Sequence, residues 1–204
     1  METIGLWLAD LRELAERVER ALALLPPVRR RAAECYRRRE DRLHCAAAGL
    51  LLRHVLGVDS DEKLRRNGYG KPELAFGGPC FNLSHGGNYA VLAVFHRPVG
   101  VDVEPVGERM PAVLPRRALL SEELTWLEEE PTPERFAALW TRLESALKAD
   151  GRGLALEKRE FSVVDSGRPW HLTTFSWDGH MISCAAGEEF DIKLTRVPAE
   201  QLLE

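Results

Sequence analysis

The stretch from Cys80 to Glu104, CFNLSHGGNYAVLAVFHRPVGVDVE, contains three consecutive runs. Apolar and polar side chains alternate in CFNLSH and VGVDVE, and YAVLAVF between them is apolar and rich in valine. Because successive side chains point to opposite faces of a β-strand, these patterns predict three strands. Gly86, Gly87 and Asn88 separate the first two runs, and these residue types are typical of a tight hairpin turn. Pro98 precedes the third run and suits the start or the edge of a strand. The centre of the chain is therefore predicted to be antiparallel β-structure.

Helical patterns flank these strands on both sides. Upstream, apolar residues recur at helical spacing from Leu11 to Leu25, again after Pro27, and from Leu43 to a stop at Gly57. Downstream, the patterns predict helices near Ala112–Leu120, Ser121–Glu129 and Thr132–Asp150, then strands at Phe161–Val164, Trp170–Trp177, Met181–Ala186 and Phe190–Val197. Helices followed by antiparallel strands occur twice, so we expect an α+β fold with two similar lobes, residues 1–100 and 101–204.

Composition limits the class of protein. The 204 residues carry a net charge of −4, which provides no overall basic field for nucleic acid. No apolar stretch reaches the length of a membrane span, and the first residues do not read as a signal peptide. Cys35, Cys45, Cys80 and Cys184 lack zinc-ligand or redox spacing, so we expect free thiols in a reducing cytoplasm.

Two acids interrupt the third strand. Asp102 and Glu104 are two residues apart, so their carboxylates share a face while Val101 and Val103 point to the other. Two like charges so close repel each other unless a cation lies between them or one carboxylate takes up a proton. This spacing favours a divalent cation near the predicted boundary between the lobes, where ligand sites are common.

Other polar side chains are open to two interpretations from the residues alone. Glu144 and Lys148 lie one helical turn apart, either as a solvated ion pair or as part of a site. Lys71 in a Gly-Pro loop and His85 at a strand end beside glycines can meet a phosphate, although a lone histidine can equally close a turn. Of the arginines between residues 29 and 42, most form a solvated face, and one or two can clasp a phosphate.

Four motifs occur in a fixed order: YGKPEL (69–74), FNLSHGG (81–87), VGVDVEPV (99–106) and LWTRLESALKADGRGL (139–154). Over about residues 26 to 165 this order resembles the 4′-phosphopantetheinyl transferase superfamily, in the two-lobed type exemplified by the surfactin-synthetase activator. The resemblance implies two α+β lobes packed side by side about a pseudo-twofold axis, with the active site in the cleft between them. It also implies a holo-[acyl-carrier-protein] synthase activity: transfer of the 4′-phosphopantetheine arm of coenzyme A to a carrier-protein serine, which releases adenosine 3′,5′-bisphosphate.

The same resemblance assigns roles to particular residues. By motif match Asp102, Glu104 and Glu144 are Mg²⁺ ligands, and Lys148 lies near the pyrophosphate. Glu144, or a water that it activates, is also the candidate base for the carrier serine. The expected coenzyme A contacts are Arg29, Gly70, Lys71, Ser84 and His85, with Arg29 and His85 near the 3′-phosphate. The acyl, peptidyl or aryl carrier protein is expected to dock on the segment 110–124, MPAVLPRRALLSEEL, which can instead be an ordinary amphipathic helix.

The chain also departs from the family pattern. Leu143 stands where the family has lysine, Gly86 where it has serine or threonine, and Cys45 where relatives often carry threonine. Leu143 and Gly86 leave open an alternative function, a catalytically reduced coenzyme A or nucleotide-binding module with a regulatory role. A third hypothesis is RNA binding through the arginine-rich helices, which the acidic total and scarce aromatic residues disfavour. We expect no nucleic-acid or membrane partner, and a monomer, because two lobes in one chain complete the cleft.

Overall fold

The structure is a computed structural model, and it describes residues 1–152, 161–165 and 169–204. The strands are β1 (Glu2–Asp10), β2 (Leu64–Arg66), β3 (Pro72–Leu74), β4 (Cys80–Gly86), β5 (Tyr89–Phe95), β6 (Val99–Pro105), β7 (His171–Trp177), β8 (His180–Ala186) and β9 (Phe190–Arg196). The α-helices are α1 (Leu11–Leu14), α2 (Val18–Ala23), α3 (Pro27–Glu34), α4 (Arg39–Leu56), α5 (Ser121–Glu129), α6 (Pro133–Asp150) and α7 (Ala199–Leu202). This mixture confirms the α+β class.

The first sheet has the strand order β4-β5-β1-β9. The predicted hairpin is confirmed, because β4 pairs antiparallel with β5 and brings Ser84 opposite Val91. Helix α4 packs on one face of this sheet through a core that includes Leu50, Leu51 and Leu92. The last strand, β9, returns from the far end of the chain to lie parallel to β1. The division of the chain at residue 100 stays a prediction.

The second sheet has the order β6-β8-β7 and packs against helix α6. The third run of the central stretch, β6, pairs with β8 rather than with the hairpin before it, so that Asp102 lies opposite Ser183. Thr132 caps α6 by accepting a hydrogen bond from the Arg135 amide at 3.2 Å, as its position before Pro133 predicts.

The two sheets face each other across an apolar core. Its fully buried residues come from β1, β5, β6 and β8, among them Ile4, Leu6, Val91, Val101 and Ile182. The valines of β6 therefore point into this core, as the alternation predicts, and the opposite face of β6 turns toward α6. That approach is close: a Cβ on Gly100 would lie 1.8 Å from the Ser145 carbonyl oxygen, so only glycine fits there.

Two predicted elements are wrong. The segment Ala112–Leu120 contains turns instead of a helix, because Pro115 has no amide hydrogen and disfavours a helical residue before it. Phe161–Val164 is not a strand, and the Val163 amide instead donates a 2.9 Å hydrogen bond to the buried carboxylate of Glu123. In the described ranges no helix is both long and apolar enough to cross a bilayer.

Candidate active site

A cavity of about 590 Å³ opens where the hairpin, strand β6, and helices α3, α4 and α6 approach one another. Its wall is formed by residues that are far apart in the sequence, from Arg29 to Lys148. The site residues predicted from sequence that line this cavity are Arg29, Ser84, His85, Asp102, Glu104, Glu144 and Lys148. The fold therefore brings the acidic strand, the acidic helix and the polar hairpin end into one place.

Three carboxylates occupy one part of the cavity. Asp102 is only 3 % exposed, whereas Glu104 and Glu144 are half-buried. Burial, together with the neighbouring Asp102, raises the pKa of Glu104 to about 7, against the opposing effect of Lys148. Burial also raises the pKa of Glu144, which Lys148 again opposes. The carboxylates thus repel one another, and ionising all three of them costs free energy.

Lys148 places a positive charge among these acids. Its ammonium donates hydrogen bonds to Asp102 Oδ1 at 2.6 Å and to Ser84 Oγ at 2.9 Å. Ser84 Oγ in turn donates to Asp102 Oδ1 at 2.7 Å. The Ser84 side chain is thus engaged with the carboxylate and the ammonium, and it holds both in place. Glu144 and Lys148 both line the cavity, so they are not a solvated surface pair.

The carboxylates fit a hard dication by their chemistry. Asp102 Oδ2 is buried and has no hydrogen-bond partner, so one oxygen is available to a ligand. All three side chains offer oxygen, which Mg²⁺ prefers. Among the described residues, however, no group of three or more His, Cys, Asp or Glu side chains is gathered tightly enough to form a ready-made metal cluster. The Lys148 ammonium supplies the positive charge at Asp102 in this structure.

Cationic and neutral nitrogen donors line the same cavity. Arg29 is half-buried, and within the described ranges its guanidinium has no hydrogen-bond or ion-pair partner; burial lowers its pKa. His85 lies with its ring exposed at the cavity wall, where the partial desolvation of the ring, then His44 and Lys148, lower its pKa. A guanidinium and an imidazole on the wall of one cavity are suited to a phosphate.

Two predicted coenzyme A contacts lie elsewhere. The Lys71 ammonium donates to the carbonyl oxygens of Val99 at 3.1 Å and Lys148 at 2.5 Å, and it lines a separate cavity of about 320 Å³. Gly70 lies in the turn before β3, with a positive φ of 89°. The fold brings neither residue into the cavity with the carboxylates, and their contact with coenzyme A stays a prediction.

Comparison with known sequences assigns the chain to a family. The sequence model of the 4′-phosphopantetheinyl transferase superfamily matches residues 98–189, which include the three carboxylates and Lys148. The chain is 32 % identical over 163 residues to the 4′-phosphopantetheinyl transferase HetI of Nostoc, covering 72 % of this chain and 68 % of that protein. The chain belongs to the 4′-phosphopantetheinyl transferase superfamily. It is therefore a transferase of this enzyme class.

Other relatives extend over most of the chain. The 4′-phosphopantetheinyl transferase Sfp of Bacillus subtilis is 28 % identical over 211 residues, which cover 92 % of this chain and 94 % of the relative. A shorter match is to the L-aminoadipate-semialdehyde dehydrogenase-phosphopantetheinyl transferase of Xenopus laevis, which is 35 % identical over 125 residues, 49 % of this chain and 39 % of that protein.

The structure shows the surroundings of the residues that depart from the family pattern. Leu143 is 1 % exposed and belongs to the apolar cluster between α6 and its neighbours, so a lysine there would be buried. Arg142 does not replace that lysine, since its guanidinium donates to the Val164 carbonyl at 3.3 Å and does not line the cavity. Cys45 does line the cavity, beside Arg29.

Some residues of the cavity wall were not predicted from the sequence. Tyr36, Asp41 and Trp140 line the cavity but were not predicted as site residues. Trp140 precedes Glu144 by four residues, so helical spacing alone could have placed it on the same face of α6. Tyr36 and Asp41 carry no comparable pattern, because their position depends on how α3 and α4 meet the hairpin.

Proposed function

We propose that this transferase moves the 4′-phosphopantetheine group of coenzyme A onto a serine of an apo carrier protein, giving holo carrier protein and adenosine 3′,5′-bisphosphate, with Mg²⁺. The observation that supports the proposal is that one cavity is lined by Asp102, Glu104, Glu144 and Lys148 together with Arg29 and His85. Coenzyme A presents a pyrophosphate and a separate 3′-phosphate, and this division of charge matches both sets of side chains.

Asp102, Glu104 and Glu144 would hold the Mg²⁺ ion, and Asp102 Oδ2 is the oxygen already free to do so. When bound, the ion supplies positive charge to the pyrophosphate oxygens. Without an ion, burial and the neighbouring Asp102 raise the pKa values of Glu104 and Glu144, which favours their uncharged forms. This accounts for a strand that places two acids on one buried face.

Lys148 and Glu144 divide the remaining work. The Lys148 ammonium, on a long flexible stem, exchanges Asp102 for a phosphate oxygen and neutralises the departing bisphosphate. Glu144 accepts the proton of the attacking serine, either directly or through a water, and its raised pKa makes it a stronger base than an ordinary glutamate. Arg29 and His85 orient the nucleotide end of the donor.

The carrier protein is proposed to dock along the segment 110–124. Up to Leu120 the segment is irregular and does not form the amphipathic helix of the alternative interpretation. Val113 is 84 % exposed, and Arg116 and Arg117 are also exposed. Arg109 and Pro111 line a small cavity of about 260 Å³ that also touches Glu104 and Trp140, so the segment adjoins the carboxylates. An exposed apolar and basic surface suits an acidic carrier helix.

We further propose that the two lobes are related by a pseudo-twofold axis. The strand orders β4-β5-β1 and β7-β8-β6 support this, since each begins with an antiparallel hairpin and each sheet carries one long helix, α4 or α6. The carboxylates of β6 and α6 then belong to one lobe, and Ser84, His85 and Arg29 to the other. A cytoplasmic monomer is part of the same proposal.

Mass spectrometry of an apo carrier protein tests the function. Incubation with this protein, coenzyme A and Mg²⁺ should add about 340 Da to the carrier, the mass of the phosphopantetheine arm. Several carriers from fatty-acid, polyketide and peptide systems should be tried, with Asp102→Asn as the matched inactive control. No mass gain on any carrier, with coenzyme A still bound, would favour the regulatory coenzyme A-binding module. Binding of RNA alone would favour the third hypothesis.

A further inference from the structure

His44 is a buried histidine to which the proposed mechanism gives no task. It lies on α4, is 8 % exposed, and is not part of the wall of the active-site cavity. Its ring stacks on the ring of His85, with the two centroids 4.8 Å apart and the ring planes 16° from parallel. Two stacked imidazoles at the edge of a phosphate site fix each other's orientation.

A hydrogen bond fixes the His44 ring in turn. Its Nε2 lies 2.9 Å from the carbonyl oxygen of Gly87, in the turn that follows His85. Because a carbonyl oxygen only accepts, Nε2 must carry the hydrogen and donate it. The plane of the His44 ring is therefore set by the same turn that ends β4, and the stacked His85 ring follows that plane.

The second lobe holds the other side of this turn. His180 Nε2, on β8, accepts a hydrogen bond from the Asn88 amide at 3.2 Å, and its Nδ1 lies 2.8 Å from the Asp178 carbonyl oxygen. Gly87 has a positive φ of 51°, and a Cβ there would lie 2.3 Å from His180 Nε2. The backbone of the turn is thus held in one conformation. The orientation of the exposed His85 side chain must be fixed by other contacts.

We propose that His44 is a positioning residue that aims the His85 imidazole at the 3′-phosphate of the donor, and so determines the preference for donors that carry this phosphate. The inference rests on the proposed function, in which His85 contacts that phosphate. Without the stacked ring, the exposed His85 side chain would sample several rotamers and would lose orientation entropy on binding. His44 touches no substrate, so its effect must pass entirely through His85.

Calorimetric binding of two small probes tests this inference without Mg²⁺ or a carrier protein. Adenosine 3′,5′-bisphosphate carries the phosphate in question, and adenosine 5′-monophosphate lacks it. The ratio of their Kd values should favour the bisphosphate in the wild type. This preference should fall by about tenfold in His85→Ala and by about fivefold in His44→Ala, from a lost charge-assisted contact and a lost stacking partner respectively.

Further variants separate positioning from folding. His44→Phe keeps a ring to stack and should retain more of the preference than His44→Gln, which keeps an N–H donor but no ring. His54→Ala, an exposed histidine of the same helix, is the matched control and should leave the ratio unchanged. The double variant of His44 and His85 should match His85→Ala alone, since His44 acts only through its neighbour.

The outcomes distinguish the inference from the function on which it rests. A folded His44→Ala protein with the wild-type ratio would overturn the positioning role, as would a double variant much weaker than His85→Ala. If His44→Ala does not fold, the Phe and Gln variants decide by the same ratio. A wild type that binds both probes equally would overturn the contact of His85 with the 3′-phosphate and the positioning role of His44, whereas the transfer function would still be decided by the mass gain of the carrier.

Discussion

Replacement of Glu104 by glutamine should stabilise the protein in the absence of metal, and the gain should increase with pH. Burial and the neighbouring Asp102 raise the pKa of this carboxyl from its usual 4.5 to about 7. The folded protein therefore holds the proton more tightly than the unfolded chain does. Stability is lost as pH rises through the range between 4.5 and about 7, because folding then requires either a retained proton or a buried charge.

The magnitude follows from the two pKa values. The difference between 4.5 and about 7, at about 1.4 kcal/mol for each tenfold change in proton affinity, corresponds to about 3 kcal/mol of unfolding free energy at pH 8. At pH 5 most of this cost is absent, since the folded protein keeps Glu104 protonated, and the difference is about 1 kcal/mol. Glutamine is neutral at every pH and avoids the cost.

Urea unfolding at pH 5, 6, 7 and 8 with a chelator measures this difference. The exposed Glu122 provides a matched control, and Glu122→Gln should change stability by less than about 0.5 kcal/mol at each pH. Addition of Mg²⁺ should shrink the advantage of Glu104→Gln, because an ion bound by the wild-type carboxylates stabilises only the folded state. An advantage that does not change with pH would show that the Glu104 carboxyl does not have a raised pKa in the folded protein, as would a destabilised glutamine variant.

Three other changes have defined outcomes. Asp102→Ala should abolish transfer to the carrier while thermal unfolding stays within a few degrees of wild type, because the change relieves carboxylate crowding but releases Lys148; extensive unfolding would show a structural role instead. Lys148→Ala should lower kcat by about 100-fold and weaken Mg²⁺ affinity little, since it stabilises the leaving group; an unchanged kcat would remove it from the mechanism. Leu143→Lys, which restores the family residue, should destabilise the protein by about 2–4 kcal/mol in urea because the site is buried and apolar; wild-type stability would show that the side chain reaches water.

Local patterns predicted the elements that carry the site. Alternation along Val99–Pro105 placed Asp102 and Glu104 on one face, and the Thr132–Pro133 pair located the start of α6. The glycines after His85 predicted the hairpin turn. These features depend on neighbours within a few residues, so a single sequence contains the information.

Features that depend on distant packing were not predictable in the same way. Periodicity does not identify the partner of a strand, so β6 joining β8 and β9 returning to β1 could not be read from their residues. The diversion of Lys71 to backbone carbonyls and the stacking of His44 on His85 require the assembled fold. The helix predicted over Ala112–Leu120 is absent for a local reason, because Pro115 lacks an amide hydrogen and disfavours a helix there.

The proposed mechanism requires carboxylates from β6 and α6 to share one divalent ion when the donor binds. Crystals grown with coenzyme A and Mn²⁺, an anomalous scatterer that substitutes for Mg²⁺, test this requirement. We expect a single anomalous peak in contact with oxygens of Asp102, Glu104 and Glu144, with the Lys148 ammonium moved from Asp102 to a phosphate. A peak that omits Glu144, or bound coenzyme A with no peak at these residues, would contradict it.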